Sequence, residues 1–334
     1  MIVTPSVSEE TAKRLRLRVL LERDGILVMP GGCSPVLARV AQEAGFESFF
    51  LAGSQLSSFL YGYPDAGVLG LRDVVDHARH IAARVDIPLL VDFDTGFGNA
   101  TNVWYAVQEG VRTGAAGLQI EDQEAPKKSG TSAGRRCISR AEAVGKIRAA
   151  VDARNRIDPA FVICARCDAL GAQGETFDSA LARCIAYVEE GGADMVWLNS
   201  VQSRAELEAA CTRIAAPVLT IWGGAAPAPT PTEFERLGVK VALYPTIASS
   251  VGLQAAWQVL HDFRARGTVA LDEWRALNDA SPYGAADFRQ LTGVPHIRHL
   301  EEQFLDSAAQ RDYDNTWGHR PALDDRAGDE GLKK

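Results

Sequence analysis

Two carboxylates, Asp92 and Asp94, stand at the end of an apolar run in the stretch VDFDTGFGNATNV, residues 91–103. Two apart on an extended strand, their side chains face the same side. Like charges that close on a buried face are costly unless a cation joins them. A hard divalent ion bound by oxygens meets that need. The plainer alternative is that the acids cap the next helix or pair with a lysine. Gly96 and Gly98 let the backbone turn tightly under a ligand. A second acidic pair, Glu121 and Asp122, ends another apolar run in LQIEDQEAPKK. Lys127 and Lys128 then open a long polar stretch, APKKSGTSAGRRC, with Gly130 and Gly134 as hinges. That composition suits a mobile lid over an anionic substrate and equally an ordinary solvated loop. Arg166 sits in VICARCDAL. Its planar guanidinium can grip a carboxylate through two bonds, or it can form a structural ion pair with Asp168.

Other pairs carry less. Cys164 and Cys167 are three apart on a strand-like run, so their thiols face opposite sides and cannot share a metal. His77 and His80 fall in a helical stretch between strands. No histidine stands at an expected strand end, which argues against a histidine-based triad or a zinc hydrolase.

The elements that must position these groups follow a repeating order. Short apolar runs occupy 26–30, 48–52, 88–93, 117–121, 161–166, 195–198, 217–221 and 239–244. Helical patterns separate them at 35–44, 71–85, 102–113, 140–154, 177–191, 203–214 and 232–237, and a last one covers 247–264. Eight strand–helix alternations predict an α/β protein with a (β/α)8 TIM barrel, whose active site lies at the C-terminal ends of the strands. A doubly wound sheet is the rival, but PGGCSP after the first run is not its phosphate fingerprint. Ser6-x-x-Glu9 reads as a capping box opening an N-terminal helix to about residue 23. Helical patterns also cover 271–278, 285–291 and 297–308. The domain organisation expected is a barrel with its N-terminal helix over 1–265, a helical extension over 266–312 and a disordered tail over 313–334.

The totals narrow the class. The chain has 334 residues, is 46% hydrophobic and carries a net charge of −8. A large core is affordable, and a nucleic-acid partner, which wants a basic face, is not indicated. The six cysteines are scattered and read as reduced thiols. No apolar run is long enough for a membrane span, and charged residues interrupt the N-terminus where a signal peptide would need an apolar core. A soluble cytoplasmic protein without membrane or nucleic-acid partners is expected.

Several stretches together resemble the isocitrate lyase/phosphoenolpyruvate mutase superfamily over roughly residues 15–310. They are MPGGCSPVLARVAQEAGFESFFLAGS, GYPDAGVL, DVVDHARHIA, LLVDFDTGFGN, GLQIEDQEAPKK, FVICARCDAL and YVEEGGADM, in matching order and spacing. The resemblance implies a Mg²⁺-dependent barrel, with Mn²⁺ as a substitute, acting on a small 2-oxo or 2-hydroxy di- or tricarboxylic acid through an enolpyruvate-like intermediate. It implies Asp92 as the direct metal ligand, with Asp65, Asp94 and Glu121 holding the metal largely through water. It assigns Arg166 to the substrate carboxylate, and Gly53 and Ser54 to the loop whose N–H groups hold the pyruvyl end. Lys127 matches the first residue of the mobile catalytic loop. It also implies a homo-oligomer, tetramer or dimer, with C-terminal helices exchanged between subunits. Departures are as specific. The lyases carry K-R-C-G-H in the loop, and here Ser129 takes the place of the acid cysteine and Thr131 that of the histidine. Asn199, expected at the substrate, replaces their glutamate, Ile221 their asparagine, and Ala52 a serine. The mutase branch's P-K-x-N-S is missing too, although PTPTEF and Asn99-x-x-Asn102 resemble that branch. The readings left are a C–C lyase or decarboxylase, a phosphonopyruvate hydrolase or phosphonomutase, and a catalytically silent acid-binding barrel.

Overall fold

This computed structural model describes residues 8–313. Eight parallel strands close into a barrel in sequence order. They are β1 (Leu27–Gly32), β2 (Phe49–Leu51), β3 (Leu89–Asp92), β4 (Gly117–Glu121), β5 (Val162–Cys167), β6 (Met195–Leu198), β7 (Val218–Thr220) and β8 (Val241–Tyr244). The register of β1 on β8, Leu27 opposite Val241 through Pro30 opposite Tyr244, completes the ring. The (β/α)8 barrel expected from eight alternations is therefore the fold.

Side chains alternate across each strand and split the core in two. The barrel interior holds Leu27 and Met29, Phe50, Leu90, Val162 and Cys164, Met195 and Trp197, Leu219, and Val241 and Leu243. The layer between strands and helices holds Phe49 and Leu51, Leu89 and Val91, Leu118 and Ile120, Ile163, Ala165 and Cys167, and Val196 and Leu198. Cys164 and Cys167 thus fall on opposite sides of β5, as three-residue spacing requires. The helix Glu9–Glu22 plugs the lower end, sending Leu17, Leu20 and Leu21 into the inner cluster. Its Arg14 donates to the carbonyls of Val111 at 2.6 Å and Ala115 at 3.1 Å and pairs with Asp158 at 2.6 Å. The cap of this helix is Ser8, which accepts from Thr11 N, and not Ser6, which lies outside the described residues.

The outer helices Pro35–Glu43, Leu71–Ala82, Ala100–Val111, Arg140–Asn155, Phe177–Glu189, Arg204–Arg213, Pro231–Arg236 and Ile247–Arg266 follow the strands in turn. Ser139, Thr176, Ser203 and Thr230 each cap the helix they precede, a contribution of about 1 kcal/mol apiece. One element escaped the sequence pattern. After β2 the chain makes a helical turn, Gly53–Gln55, and a widened π turn, Leu56–Leu60. Such turns have no periodicity to betray them and recur at functional sites.

Two compact units divide the chain after Leu277. The second contains the short helix Phe288–Leu291 and the helix Val294–Phe304, where Arg298 pairs with Glu302 one turn on at 2.9 Å. The tail expected at 313–334 lies, but for Tyr313, outside the described residues. No described helix is long and apolar enough to cross a membrane.

Candidate active site

The site residues are the next members of the inward rows. Two steps beyond Leu90 comes Asp92, two beyond Cys164 comes Arg166, and two beyond Trp197 comes Asn199. On β4, with Leu118 and Ile120 outward, Gln119 and Glu121 must point in. Backbone alternation alone therefore gathers Asp92, Glu121, Arg166 and Asn199 at the C-terminal rim, all of them buried.

Asp94 joins them by a different route from the one its spacing suggested. β3 stops at Asp92, and Asp94 lies in a left-handed turn with φ of 45°. Its backbone N–H donates to Asp92 Oδ1 at 3.0 Å. Gly96 follows at φ of 82°, where a Cβ would stand 2.6 Å from Val103 Cγ2. Only glycine supplies both the angle and the space. The other Asp92 oxygen accepts from Gly53 N–H at 3.1 Å. A Cβ on Gly53 would meet Asp92 Oδ2 at 3.0 Å and Asp94 Oδ1 at 3.2 Å. Gly53 is thus fixed against the acids, while the neighbouring Ser54 uses its carbonyl to accept from Ser58 at 2.7 Å.

The buried Lys127 ammonium bridges Asp65, in a very short contact, and Asp94, at 2.9 Å. Burial disfavours its charge, but Glu121, Asp94, Asp92 and Asp65 outweigh that and hold its pKa above the ordinary value. Burial, and then Asp92, push the Asp94 carboxyl up to about 6 against the pull of Lys127. Burial drives Glu121 well above the usual carboxylate range, with Arg166 opposing.

Arg166 packs its guanidinium over the Trp197 ring at 4.2 Å. The register that sets Arg166 beside Trp197 makes this contact unavoidable. Its nitrogens reach Glu121 Oε2 at 3.2 Å and both oxygens of the fully buried Asp168 at 2.8 and 3.0 Å. The ion pair with Asp168 is therefore present, and it holds the arginine at the strand end. Asn199 donates to Asp168 Oδ1 at 2.5 Å and to the carbonyl of Gly130 at 3.0 Å.

Asp122 parts company with Glu121. Facing outward, it accepts from Tyr187 Oη at 2.6 Å and from the Asp168 backbone N–H at 2.7 Å. It braces β4 against β5 and the helix Phe177–Glu189 and is not part of the inner acid cluster. Cys137 turns its thiol to Asp122 Oδ1 at 3.6 Å. Burial and then Asp122 raise its pKa, which leaves it no stand-in for a loop proton donor. Among the described residues Ser129 Oγ reaches only Thr131 Oγ1, at 3.4 Å. His77, on the helix Leu71–Ala82, contacts the carbonyl of Cys33, just past the end of β1, and none of the acids.

A family profile described as phosphoenolpyruvate phosphomutase matches residues 17–263. The chain belongs to that family. It is 35% identical to a 2,3-dimethylmalate lyase of Eubacterium barkeri over 299 residues, 86% of this chain and 97% of the relative. It is 38% identical to a 2-methylisocitrate lyase of Aeropyrum pernix over 256 residues, 76% of this chain and 80% of the relative. A solved structure of a phosphonopyruvate hydrolase complexed with oxalate and Mg²⁺ superposes with a TM-score of 0.75 at 30% identity, covering 88% of this chain and 99% of that one. The superfamily inferred from DFDTGFG and its companions stands, and the protein is a lyase of the isocitrate lyase/phosphoenolpyruvate mutase superfamily.

The acid cluster fits the hard cation that such a site implies. Asp94 Oδ1 and Glu121 Oε2 are buried oxygens that meet Lys127 at 2.9 Å and Arg166 at 3.2 Å as ion pairs, with no hydrogen bond completed among the described residues. Among the described residues no three His, Cys, Asp or Glu side chains form a direct ligand cage. Mg²⁺ commonly keeps several waters and takes only one or two carboxylates. Asp92 as the near ligand, with Asp94 and Glu121 behind water, suits that habit.

Trp197, Asp168, Arg135 and Ser200 complete the site and were not singled out as site residues from sequence. Trp197 was within reach, because inward parity on β6 puts it directly beneath Asn199. Arg135 and Ser200 carry no local signal.

Proposed function

We propose that this lyase is a Mg²⁺-dependent enzyme that cleaves a carbon–carbon bond, or removes CO₂, in a short 2-oxo or 2-hydroxy di- or tricarboxylic acid. The observation that carries this is the meeting of Asp92, Asp94 and Glu121 with Lys127 and Arg166 at one rim of the barrel. Arg166 is oriented by Asp168 and Trp197 to hold a substrate carboxylate. When bound, Mg²⁺ would stabilise negative charge on the substrate's 2-oxygen, as the alkoxide of a 2-hydroxy acid or the enolate of a 2-oxo acid. Lys127 adds fixed positive charge at the same place, in a buried setting where it is worth more than in water. Gly53 and Asp65 hold the acids and the lysine in register.

The substrate's shape finds support next to the rim. A cavity of about 230 Å³ lies at the ends of β7 and β8, lined by Ile221, Trp222, Phe234, Leu243, Tyr244 and Ile247 among others. Apolar walls of that size suit alkyl substituents on the acid. The name of the 35%-identical relative, 2,3-dimethylmalate lyase, points the same way.

The test is a panel of 2,3-dimethylmalate, 2-methylisocitrate, oxaloacetate and phosphonopyruvate, each with Mg²⁺ and with excess EDTA. Turnover of an alkyl-substituted malate that EDTA abolishes supports the proposal. Turnover of phosphonopyruvate alone moves the enzyme to P–C chemistry, the second reading, which Ser129 in place of a cysteine acid keeps open. No turnover of any acid points to the silent barrel, though the buried acid cluster is a costly feature for a protein without use for it.

The remaining expectations belong to the same proposal: a cytoplasmic enzyme, a barrel over 1–265 extended by helices over 266–312, and a homo-oligomer. Leu253, Trp257 and Leu260 of the helix Ile247–Arg266 are exposed on one side and supply an apolar face for subunit contact.

A further inference from the structure

The loop 127–136 lies over Arg166, and two residues just after β6 hold its middle. The Gly130 carbonyl accepts from Asn199 Nδ2 at 3.0 Å and from Ser200 Oγ at 3.2 Å. Ser200 Oγ accepts in turn from Arg135 Nη1 at 3.1 Å. Arg135 comes from the far end of the same loop, is buried, and is anchored by Nη2 on the Leu170 carbonyl at 2.7 Å. The middle and the end of the loop are thus tied to one pair of adjacent residues.

Three details indicate that the pair is built for this. Ser200 has φ of 65°, a conformation sparsely populated by non-glycine residues and found where a structure needs it. The turn sets its hydroxyl between Arg135 and Gly130. Gly130 itself has no room for a side chain, since a Cβ would stand 2.2 Å from Arg166 Nη2 and 2.9 Å from Asn199 Nδ2. Lastly, the Asn199 amide has two N–H groups, and Gly130 and Asp168 take both. While the loop is down, Asn199 has no donor left for a substrate.

We propose that Asn199 and Ser200 are positioning residues that clasp the loop at Gly130 and hold it closed over Arg166, rather than residues that read the substrate. A carboxylate at 199 would aim oxygens at the Gly130 carbonyl and at Asp168, acceptor against acceptor, and the clasp would open. The amide is therefore the feature of this chain that closes the loop without the substrate's help. The inference rests on the lyase reading only for what the closed loop is used for.

The experiment compares tryptic cleavage after Lys127, Lys128, Arg135 and Arg136 in the full-length parent, Asn199→Asp and Ser200→Gly, with kinetics on whichever acid the parent turns over. Asn199→Asp keeps the shape and removes the donor. Ser200→Gly removes the hydroxyl while easing the backbone, so its thermal stability should not fall. Both should be cleaved about tenfold faster than the parent, the change in open population expected from losing one such hydrogen bond, and both should lose kcat more than they raise KM. Unchanged cleavage in Asn199→Asp and Ser200→Gly would overturn the clasp. So would an Asn199→Asp variant whose loop stays protected while its preference among acids shifts, because that marks a substrate contact. A parent inactive on every acid would refute the lyase reading, and the cleavage rates would still decide the clasp.

Discussion

Replacing Arg166 by methionine should cost stability as well as catalysis, and the two losses can be separated. The guanidinium is buried against Glu121 and Asp168, whose side chains are 0% exposed, and lies 4.2 Å above the Trp197 ring. Methionine keeps much of the volume and the contact with Trp197 but leaves two buried carboxylates without their cation. Breaking a buried pair in this way costs about 3–5 kcal/mol. For a unit of this size each kcal/mol lowers Tm by roughly 2–4 °C, so a fall of about 10 °C is expected in a calorimetric scan. Turnover should fall by about 30-fold to several-thousand-fold, since a buried charge contact to the substrate is worth about 2–5 kcal/mol. The double variant Arg166→Met/Asp168→Asn removes one of the two orphaned charges, the one that Arg166 approaches more closely. Its Tm should recover most of the loss, while its kcat/KM stays low because nothing grips the carboxylate. A single variant with the parent's Tm would refute the buried ion-pair account. A double variant that regained activity with its Tm would show that Arg166 is structural only.

Lys127→Met should lower Tm sharply in EDTA, because Asp65 and Asp94 lose the ammonium between them, and Mg²⁺ should restore more Tm to the variant than it adds to the parent; equal responses to Mg²⁺ in the two proteins would sink the idea that ion and lysine share the cluster. The Asp94 carboxyl titrates near 6 in the fold against an ordinary 3.8, so the metal-free fold holds a proton that the unfolded chain has lost. That preference weakens metal-free stability as pH rises from about 4 to about 6 and then levels off. Scans of the parent against Asp94→Asn, with Asp92, Asp65, Glu121 and Lys127 unchanged around it, should diverge over that interval, and the Tm gain from Mg²⁺ should grow over the same interval in the parent alone. Among the described residues the Ser129 hydroxyl has only Thr131 within reach, and a serine is a poor proton donor near neutral pH, so the natural protein should cleave 2-methylisocitrate slowly or not at all. Ser129→Cys should recover little, and a robust rate from either protein would show that another group delivers the proton.

Much of the fold was legible because its signals are local. Apolar runs of strand length separated by helical patterns count to eight without reference to anything distant, and a parallel barrel is the arrangement that covers so many. The same alternation carries Asp92, Glu121, Arg166 and Asn199 inward at the rim, since parity along a strand is a property of the backbone. Where the backbone leaves the strand, the sequence lost its hold. Asp94 reaches the cluster through a left-handed turn beyond the strand's end, and Asp122, one residue from Glu121, faces Tyr187 instead. The role of Lys127 depends on Asp65, 62 positions away, and that of Gly130 on Asn199, 69 positions away. For Arg166 the sequence leaves open a grip on substrate or an ion pair with Asp168, and the fold gives it both Asp168 and Glu121 as partners. Periodicity therefore determined which residues stand at the mouth of this barrel. Only tertiary structure decided which of them pair, because two charges choose each other by distance in space, and separation along the chain says nothing of that once the ring has closed.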